Sequence, residues 1–249
     1  MPRISIITIN YNSFNALNKT INSLKKQDRK LFEFIIIDGN SNDINNSDYQ
    51  KLFEFADIFL SEPDKGISDA WNKGIRLCNC NWILLLNSGD VLEKYILGKI
   101  DSLIKNTDLI YTFSSNIVNE EYEFIKLNKP SISKIPFGMY IPHNFTFIPI
   151  SFYKKYGFYR NIPLSMDYEW FLRNYVEIKG SISSNPDLII GSYPLGGRSD
   201  KNAINGFIAN FKLQLKYLPK YYFISLFINL FTLISKQLIF NLVRFTYEK

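Results

Sequence analysis

Residues 82–86 (WILLL) form an unbroken apolar run that stops at Asn87-Ser88-Gly89-Asp90. A run that is apolar at every position fits a strand buried on both faces, which requires helices above and below a largely parallel sheet. It ends by delivering an amide, a hydroxyl, a glycine and a carboxylate at its carboxyl end. Open α/β sheets bind ligands at that edge. Just upstream, Ile67, Ala70, Trp71, Ile75 and Leu77 have helix-compatible spacing. Residues 61–90 therefore read as loop, helix, turn, buried strand and polar tip.

The same grammar recurs towards the amino terminus. Residues 3–10 are rich in isoleucine and predict a first strand, followed by a Tyr11-Asn12-Ser13 turn. Ser13 suits an N-cap, with Leu17, Ile21 and Leu24 as the helical stripe behind it. Residues 34–37 predict a second strand, which ends in Asp38-Gly39-Asn40-Ser41-Asn42-Asp43. Asp43 suits either a ligand contact or an N-cap. A helix over 49–55 and a short strand over 57–60 follow. Alternation at this spacing predicts a parallel sheet with right-handed crossovers. The polar tips at 11–12, 38–43 and 87–90 then share one edge, as a binding rim or as ordinary connecting loops.

Beyond Asp90, helices are expected over 95–104, 151–156 and 166–175, strands over 108–113 and 187–191, and a hairpin near 122–127. Residues 195–199 form a glycine loop. No repeat or low-complexity linker precedes residue 200.

Composition narrows the function classes. At 46% hydrophobic residues the chain can build a substantial core. The net charge of +6 is all in the tail: residues 1–200 hold 22 basic and 22 acidic residues, whereas 201–249 hold seven basic residues and one acid, Glu248. A main domain that is neutral in sum argues against a nucleic-acid grip. Cys78 and Cys80 lie too close together to staple distant segments, and with one histidine, His143, no zinc-type set is present. These features predict a reducing, cytoplasmic setting. The start, MPRISIITIN, leads directly into a strand and lacks a signal-peptide core.

Taken in order, residues 5–12, 36–43, 61–67, 69–75 and 86–90 resemble the motifs of family 2 glycosyltransferases. Pro142-His143-Asn144, Met166-Asp167-Tyr168-Glu169-Trp170 and Gly196-Gly197-Arg198-Ser199 continue the match. Each motif is weak alone; eight in sequence are specific. The resemblance covers roughly residues 3–200 and is nearest to bacterial enzymes that build O-antigen, capsule or exopolysaccharide units. It implies a GT-A fold, Rossmann-like and mostly parallel with flanking helices. It also implies inverting transfer from a nucleotide sugar, UDP-linked by expectation, to a glycan acceptor carried on a lipid such as undecaprenyl diphosphate. The implied domain is 1–205, with a nucleotide half (1–113) and an acceptor half (114–205).

Residue roles follow from the same resemblance. Tyr11 would lie against the base, or else pack at a strand end. Asp38 would accept from a uracil-type imide, and Asp69 and Asn72 would sit near the nucleotide. Asn87 and Ser88 belong to the donor edge. The family holds Mg²⁺ or Mn²⁺ through an acidic cluster, but Asn87 and Gly89 replace aspartates here and leave Asp90. One carboxylate with diphosphate oxygens and waters is still a normal Mg²⁺ or Mn²⁺ environment. Asp90 equally suits a helix cap. His143 stands as a second metal or diphosphate contact, or as a structural residue. Asp167 matches the catalytic base, with Glu169 as the fallback. Arg198 would neutralise diphosphate, or is a solvated surface residue.

Residues 206–249 change character, mixing apolar and aromatic residues with lysines and arginine. The uncharged run 221–235 is too short and too punctuated for a confident membrane span. The tail is expected to be amphipathic and helical, lying on an anionic membrane at the inner face of the cell membrane. Packing on the domain or a dimer contact are the alternatives. Two other functions stay open. A sugar nucleotidyltransferase is opposed by the absence of glycine in residues 3–12. A non-catalytic sugar-nucleotide binder or membrane scaffold is favoured by the thinned acidic cluster.

Overall fold

The three apolar runs nearest the amino terminus pair side by side. In the computed structural model, which describes residues 3–196 and 203–221, β1 (Ile4–Asn10) lies between β2 (Phe32–Asp38) and β4 (Trp82–Asn87), parallel to both. All seven residues of β2 are buried, its apolar run 34–37 together with the hydrogen-bonded carboxylates Glu33 and Asp38. Successive side chains point to opposite faces. Ile6, Phe34, Ile36 and Leu84 pack with helix α1 (Phe14–Leu24), whereas Ile7, Ile35, Ile37 and Leu85 pack with helix α3 (Ile67–Leu77). Each fully buried Ile, Leu or Phe contributes about 1.5–3 kcal/mol, so this sandwich is the main stabilising block.

Gly74 permits the close seat of α3. A Cβ there would stand 2.4 Å from Cγ2 of Ile7. At this position glycine serves contact between helix and sheet.

The sheet order is β3-β2-β1-β4-β8-β6-β9-β5, with β7 on β6. The strands not yet given are β3 (Ile58–Ser61), β5 (Val91–Leu92), β6 (Ile110–Val118), β7 (Phe124–Asn128), β8 (Thr146–Pro149) and β9 (Ile182–Pro194). The block from β3 to β4 is parallel. β8 then joins β4 and β6 in antiparallel fashion, which makes the sheet mixed. The expected hairpin is β6–β7. β9 begins five residues before the expected strand, because it pairs along most of β6 despite its mixed composition.

The remaining helices are α2 (Asn46–Phe55), α4 (Ile96–Leu103), α5 (Ile150–Tyr156), α6 (Met166–Arg173), α7 (Tyr175–Ile178) and α8 (Ala203–Tyr217). β6 runs across position 113/114 and α8 across 205/206. Leu218, just after α8, is buried at 4% exposure among core residues, and Leu213, Tyr217 and Tyr221 pack beside it. Residues 197–202, including Arg198 and most of the glycine loop, and the tail beyond Tyr221 lie outside the described residues.

Helix capping differs from the simplest expectation. Ser13 precedes α1, but its hydroxyl donates to the Tyr11 carbonyl instead of capping. The first amide of α1, on Phe14, donates to the Asp43 carboxylate. Asn45 caps α2 by accepting from the Asp48 amide.

Candidate active site

Register places the polar tips together. Asn10 lies opposite Asp38 and Ile9 opposite Asn87, so the carboxyl ends of β1, β2 and β4 form one rim. A hydrogen-bonded chain crosses it. The Ser88 hydroxyl lies 3.1 Å from Asn10 Oδ1, and Asn10 Nδ2 donates to Asp38 at 2.9 Å. Ser88 Oγ also lies 2.8 Å from the Ile9 carbonyl.

Asp38 is completely buried. Its carboxylate accepts from the Ser41 amide (2.9 Å), the Ser41 hydroxyl (2.5 Å), the Ser61 hydroxyl (2.7 Å) and Asn10. Burial alone would raise its pKa; the hydrogen bonds, led by those of Ser41, outweigh that and hold the carboxyl below the usual range. It therefore knits the ends of β1, β2 and β3 together as an anion.

The tip 87–90 is a tight turn closed from three directions. The Asp90 amide donates to the Asn87 carbonyl at 3.0 Å, and the Asn87 amide returns a bond to Asp90 Oδ2 at 2.7 Å. Thr20 of α1 accepts from the Gly89 amide at 2.9 Å and donates to the Asn87 carbonyl at 3.3 Å. Tyr122, at the hairpin tip, donates to the Gly89 carbonyl at 2.5 Å. Gly89 has φ +101°, a left-handed conformation that favours glycine. Asp90 itself is 3% exposed. Burial pushes its carboxyl up to about 8, against the lowering effects of the Asn87 amide and the Asn144 side chain.

The segment 142–145 joins this turn to α6. The Asn144 side chain lies close enough to Asp90 to lower its pKa. His143, next to it, lies within the electrostatic reach of Asp167. Burial lowers the His143 pKa, while the Asp167 charge and Asn144 act in the opposite direction. His143 Nε2 is 2.7 Å from the Tyr159 hydroxyl, which is 2.8 Å from that of Tyr153. Asp167 sits half-buried in the first turn of α6 and accepts from the Tyr168 amide at 2.8 Å. Asp90 and Asp167 are thus approached from one short segment.

Glu169 faces elsewhere. It is 1% exposed and is bonded to Arg173 at 3.1 Å and Tyr217 at 2.6 Å, with Arg160 3.4 Å away. Those partners occupy it on the side towards α8.

The third group of expected residues lies around the start of α3. Tyr11 is 64% exposed at the rim. Its ring and the Asp64 carboxylate flank Gly39, so closely that a Cβ on Gly39 would stand 3.1 Å from Tyr11 and 2.7 Å from Asp64. Asp69 accepts from the Lys65 amide at 3.1 Å and pairs with Lys73 at 3.4 Å. Asn72 spends its amide on backbone: Nδ2 donates to the Tyr159 carbonyl at 2.8 Å, and Oδ1 accepts from the Tyr159 amide at 3.1 Å.

This arrangement agrees with comparison to known proteins. Residues 5–172 match the family described as glycosyl transferase family 2. The chain belongs to glycosyl transferase family 2. It is 34% identical over 90 residues to an uncharacterised glycosyltransferase of Mycobacterium tuberculosis, covering 36% of this chain and 34% of the relative. It is 26% identical over 116 residues to the putative teichuronic acid biosynthesis glycosyltransferase TuaG of Bacillus subtilis, covering 45% and 46%. The matches therefore span about a third to a half of the length of these relatives. Among solved structures, Staphylococcus aureus TarS 1-349 in complex with UDP-GlcNAc superimposes with a TM-score of 0.67 at 15% identity, covering 85% of this chain and 64% of that one. The mannosyltransferase PcManGT from Pyrobaculum calidifontis, in complex with GDP-Man and Mn²⁺, gives 0.66 at 15%, covering 90% and 68%. The fold is the α/β GT-A type.

Several residues of this family 2 site escape sequence reading. Asn10 and Ser41 lie within or beside the polar tips, so their types offered a signal that they satisfy Asp38. Asn144 stands inside a family motif and is the link to Asp90. Thr20 and Tyr122 gave none: a helix threonine and a hairpin tyrosine do not announce that they brace a turn about 70 and 30 residues away.

Proposed function

We propose that the protein transfers a sugar, with inversion, from a UDP-linked donor to a lipid-linked glycan acceptor during assembly of a bacterial surface polysaccharide. The observation that carries this reading is the 142–145 segment, where Asn144 neighbours Asp90, and His143, bonded to Tyr159 at 2.7 Å, feels the Asp167 charge. A donor-end acid and an acceptor-end acid then each neighbour a residue of one short segment. The UDP-GlcNAc complex of TarS supports the donor class, and the printed name of TuaG supports the surface-polymer context.

In this reading Asp167 is the general base. The acceptor hydroxyl oxygen attacks the anomeric carbon, its proton passes to the Asp167 carboxylate, and the carbon–oxygen bond to the β-phosphate breaks. The bonding pair leaves with the diphosphate, and one in-line displacement inverts the centre. Tyr11 covers the base, with Asp38 shaping the rim beneath it. Asn87 and Ser88 border the donor, Asp69 orders the loop before α3, and Arg198 is assigned to the leaving diphosphate.

Asp90 fits a divalent cation. It is a buried carboxylate bonded by the Asn87 amide and neighboured by the Asn144 side chain, neither of which carries a positive charge. Among the described residues no group of three His, Cys, Asp or Glu side chains gathers as a metal cluster, so Asp90 would hold Mg²⁺ or Mn²⁺ jointly with diphosphate oxygens and waters. The ion would neutralise charge on the departing diphosphate. The Mn²⁺ in PcManGT supports this choice. His143 Nε2 is engaged by Tyr159, which favours its role on the Asp167 side over metal ligation.

Among the described residues no helix is long and apolar enough to cross a membrane. α8 and its exit carry exposed Lys212, Lys216 and Lys220 beside exposed Ile204, Ile208 and Leu215, a composition suited to an anionic lipid surface. We assign this face to peripheral contact at the inner side of the cell membrane. Flotation with anionic and neutral vesicles tests it: equal recovery with both would remove the assignment.

The deciding experiment is release of nucleoside diphosphate from a panel of nucleotide sugars with Mn²⁺ or Mg²⁺. Turnover is expected with a UDP-sugar, lost in Asp90→Ala together with metal-dependent donor binding. Asp167→Asn should bind donor yet turn over roughly 10²- to 10⁴-fold more slowly. The single acid of the 87–90 turn favours a second reading, a non-catalytic sugar-nucleotide binder. Donor binding without diphosphate release across the panel would establish that one instead.

A further inference from the structure

The helix that carries Asp167 is short. α6 spans eight residues, and a helix of about two turns does not hold itself in water. Its position is set by what its side chains bury and bond. One side is tied to the 156–158 segment: Trp170 Nε1 donates to the Gly157 carbonyl at 2.7 Å, and Arg173 reaches the Tyr156 and Phe158 carbonyls, each at 2.9 Å. The other side is tied to α8.

The two residues that follow Asp167 make that second tie. Tyr168 is fully buried; its hydroxyl donates to the Ile135 carbonyl and accepts from Gln214 Nε2, both at 2.9 Å. Glu169 accepts from the Tyr217 hydroxyl at 2.6 Å, and Tyr217 accepts in turn from Arg160 at 2.8 Å. Gln214 is itself 2% exposed. Below it, Leu218 is buried in the core and Tyr221 packs edge-on against Phe137, ring centres 5.8 Å apart. Both donors, Gln214 and Tyr217, belong to α8. Loss of these donors would leave a buried carboxylate and a buried phenol each short of one bond, so α6 is tied to α8.

We propose that α8 is a positioning element for the helix bearing the base: Gln214 and Tyr217 set the height and rotation of α6, and so the seat of Asp167 beside His143. The proposal rests on Asp167 as the general base. Gln214 and Tyr217 touch no reacting atom and act through Tyr168 and Glu169. A displacement of about 1 Å at a reacting group can cost roughly 100-fold in rate, so such a tie matters even at a distance. The same helix turns Lys212 and Lys216 outward, which links whatever that face contacts to the alignment of the base.

The chain's single histidine makes this testable without knowing the acceptor. In untagged full-length protein carrying ¹³C-labelled histidine, the one imidazole Cε1 resonance reports on the surroundings of His143. Wild type, Asp167→Asn, Tyr217→Phe, Gln214→Leu and the outward-facing control Lys212→Ala are compared at one pH, with thermal melting as the check on folding. Asp167→Asn should shift the resonance. Tyr217→Phe, which keeps the ring and removes only the hydroxyl, should shift it too, as should Gln214→Leu; Lys212→Ala should leave it in place. If Asp167→Asn moves the signal while both α8 variants leave it at the wild-type position, the positioning role is wrong and the base assignment is untouched. If Asp167→Asn leaves it unmoved, the Asp167–His143 proximity is absent and the proposal falls with it. The base assignment itself is judged separately, by diphosphate release in Asp167→Asn.

Discussion

The Asp43 carboxylate lies 2.8 Å from the backbone amide of Phe14, so a residue in the loop after β2 caps the helix that follows β1. The bond joins the polar tip after β2 to the start of α1. An orphan amide at the helix start is satisfied by a charge that also suits the positive end of the helix dipole.

Asp43→Ala should therefore cost about 1 kcal/mol of unfolding free energy, within the usual range for a lost cap. Asp43→Asn should recover most of it, and Ser13→Ala should change stability by less than about 0.5 kcal/mol. Urea denaturation checks all three. A larger loss in Ser13→Ala than in Asp43→Ala would show that Ser13 is the cap.

Asp38 predicts a dependence on acid. Its pKa is held below the ordinary value in the folded chain, so its contribution is present above the unfolded value of 3.8 and is lost as pH falls through the folded pKa. Asp38→Asn should flatten that part of the stability curve while lowering stability at pH 7. Chemical denaturation from pH 2 to pH 7 measures it; an unchanged acid slope in Asp38→Asn would refute the point.

Asn72 clamps the backbone of Tyr159 through both atoms of its amide. Asn72→Ala leaves two backbone groups in search of partners and should destabilise by about 1–3 kcal/mol. The His143 resonance should move as well, because Tyr159 bonds His143. Calorimetric titration with UDP and Mn²⁺ separates this from direct nucleotide contact: affinity lost with the melting temperature intact would make Asn72 a ligand residue instead.

Gly89→Ala places a side chain where φ is +101° and where its Cβ would stand 3.4 Å from Pro194. The left-handed backbone costs an L-residue about 1–2 kcal/mol, and the turn that orients Asp90 should open to relieve it. Metal-dependent UDP binding is expected to fall more than stability does. Binding at the wild-type level would mean that the turn tolerates the change.

Local pattern was enough for β1 to β4, the alternation and the rim, but not for β5, β8 or the first half of β9. Uniform apolar runs such as residues 82–86 must be buried on both faces, and a parallel sheet brings their polar ends to one edge whatever else the chain does. The family motifs, read in order, pointed to Asp90 and Asp167 as candidates. What the sequence could not determine was which group each polar side chain would meet. Asn72 and Tyr159 are 87 residues apart, Asp43 stands across a loop from the helix it caps, and Glu169 turns away from Asp167 to bond a residue of α8. Such pairings depend on how distant segments close in space, and hydrogen bonds are satisfied by whichever donor or acceptor arrives. Periodicity records the face a residue occupies; only the closed tertiary structure selects its partner.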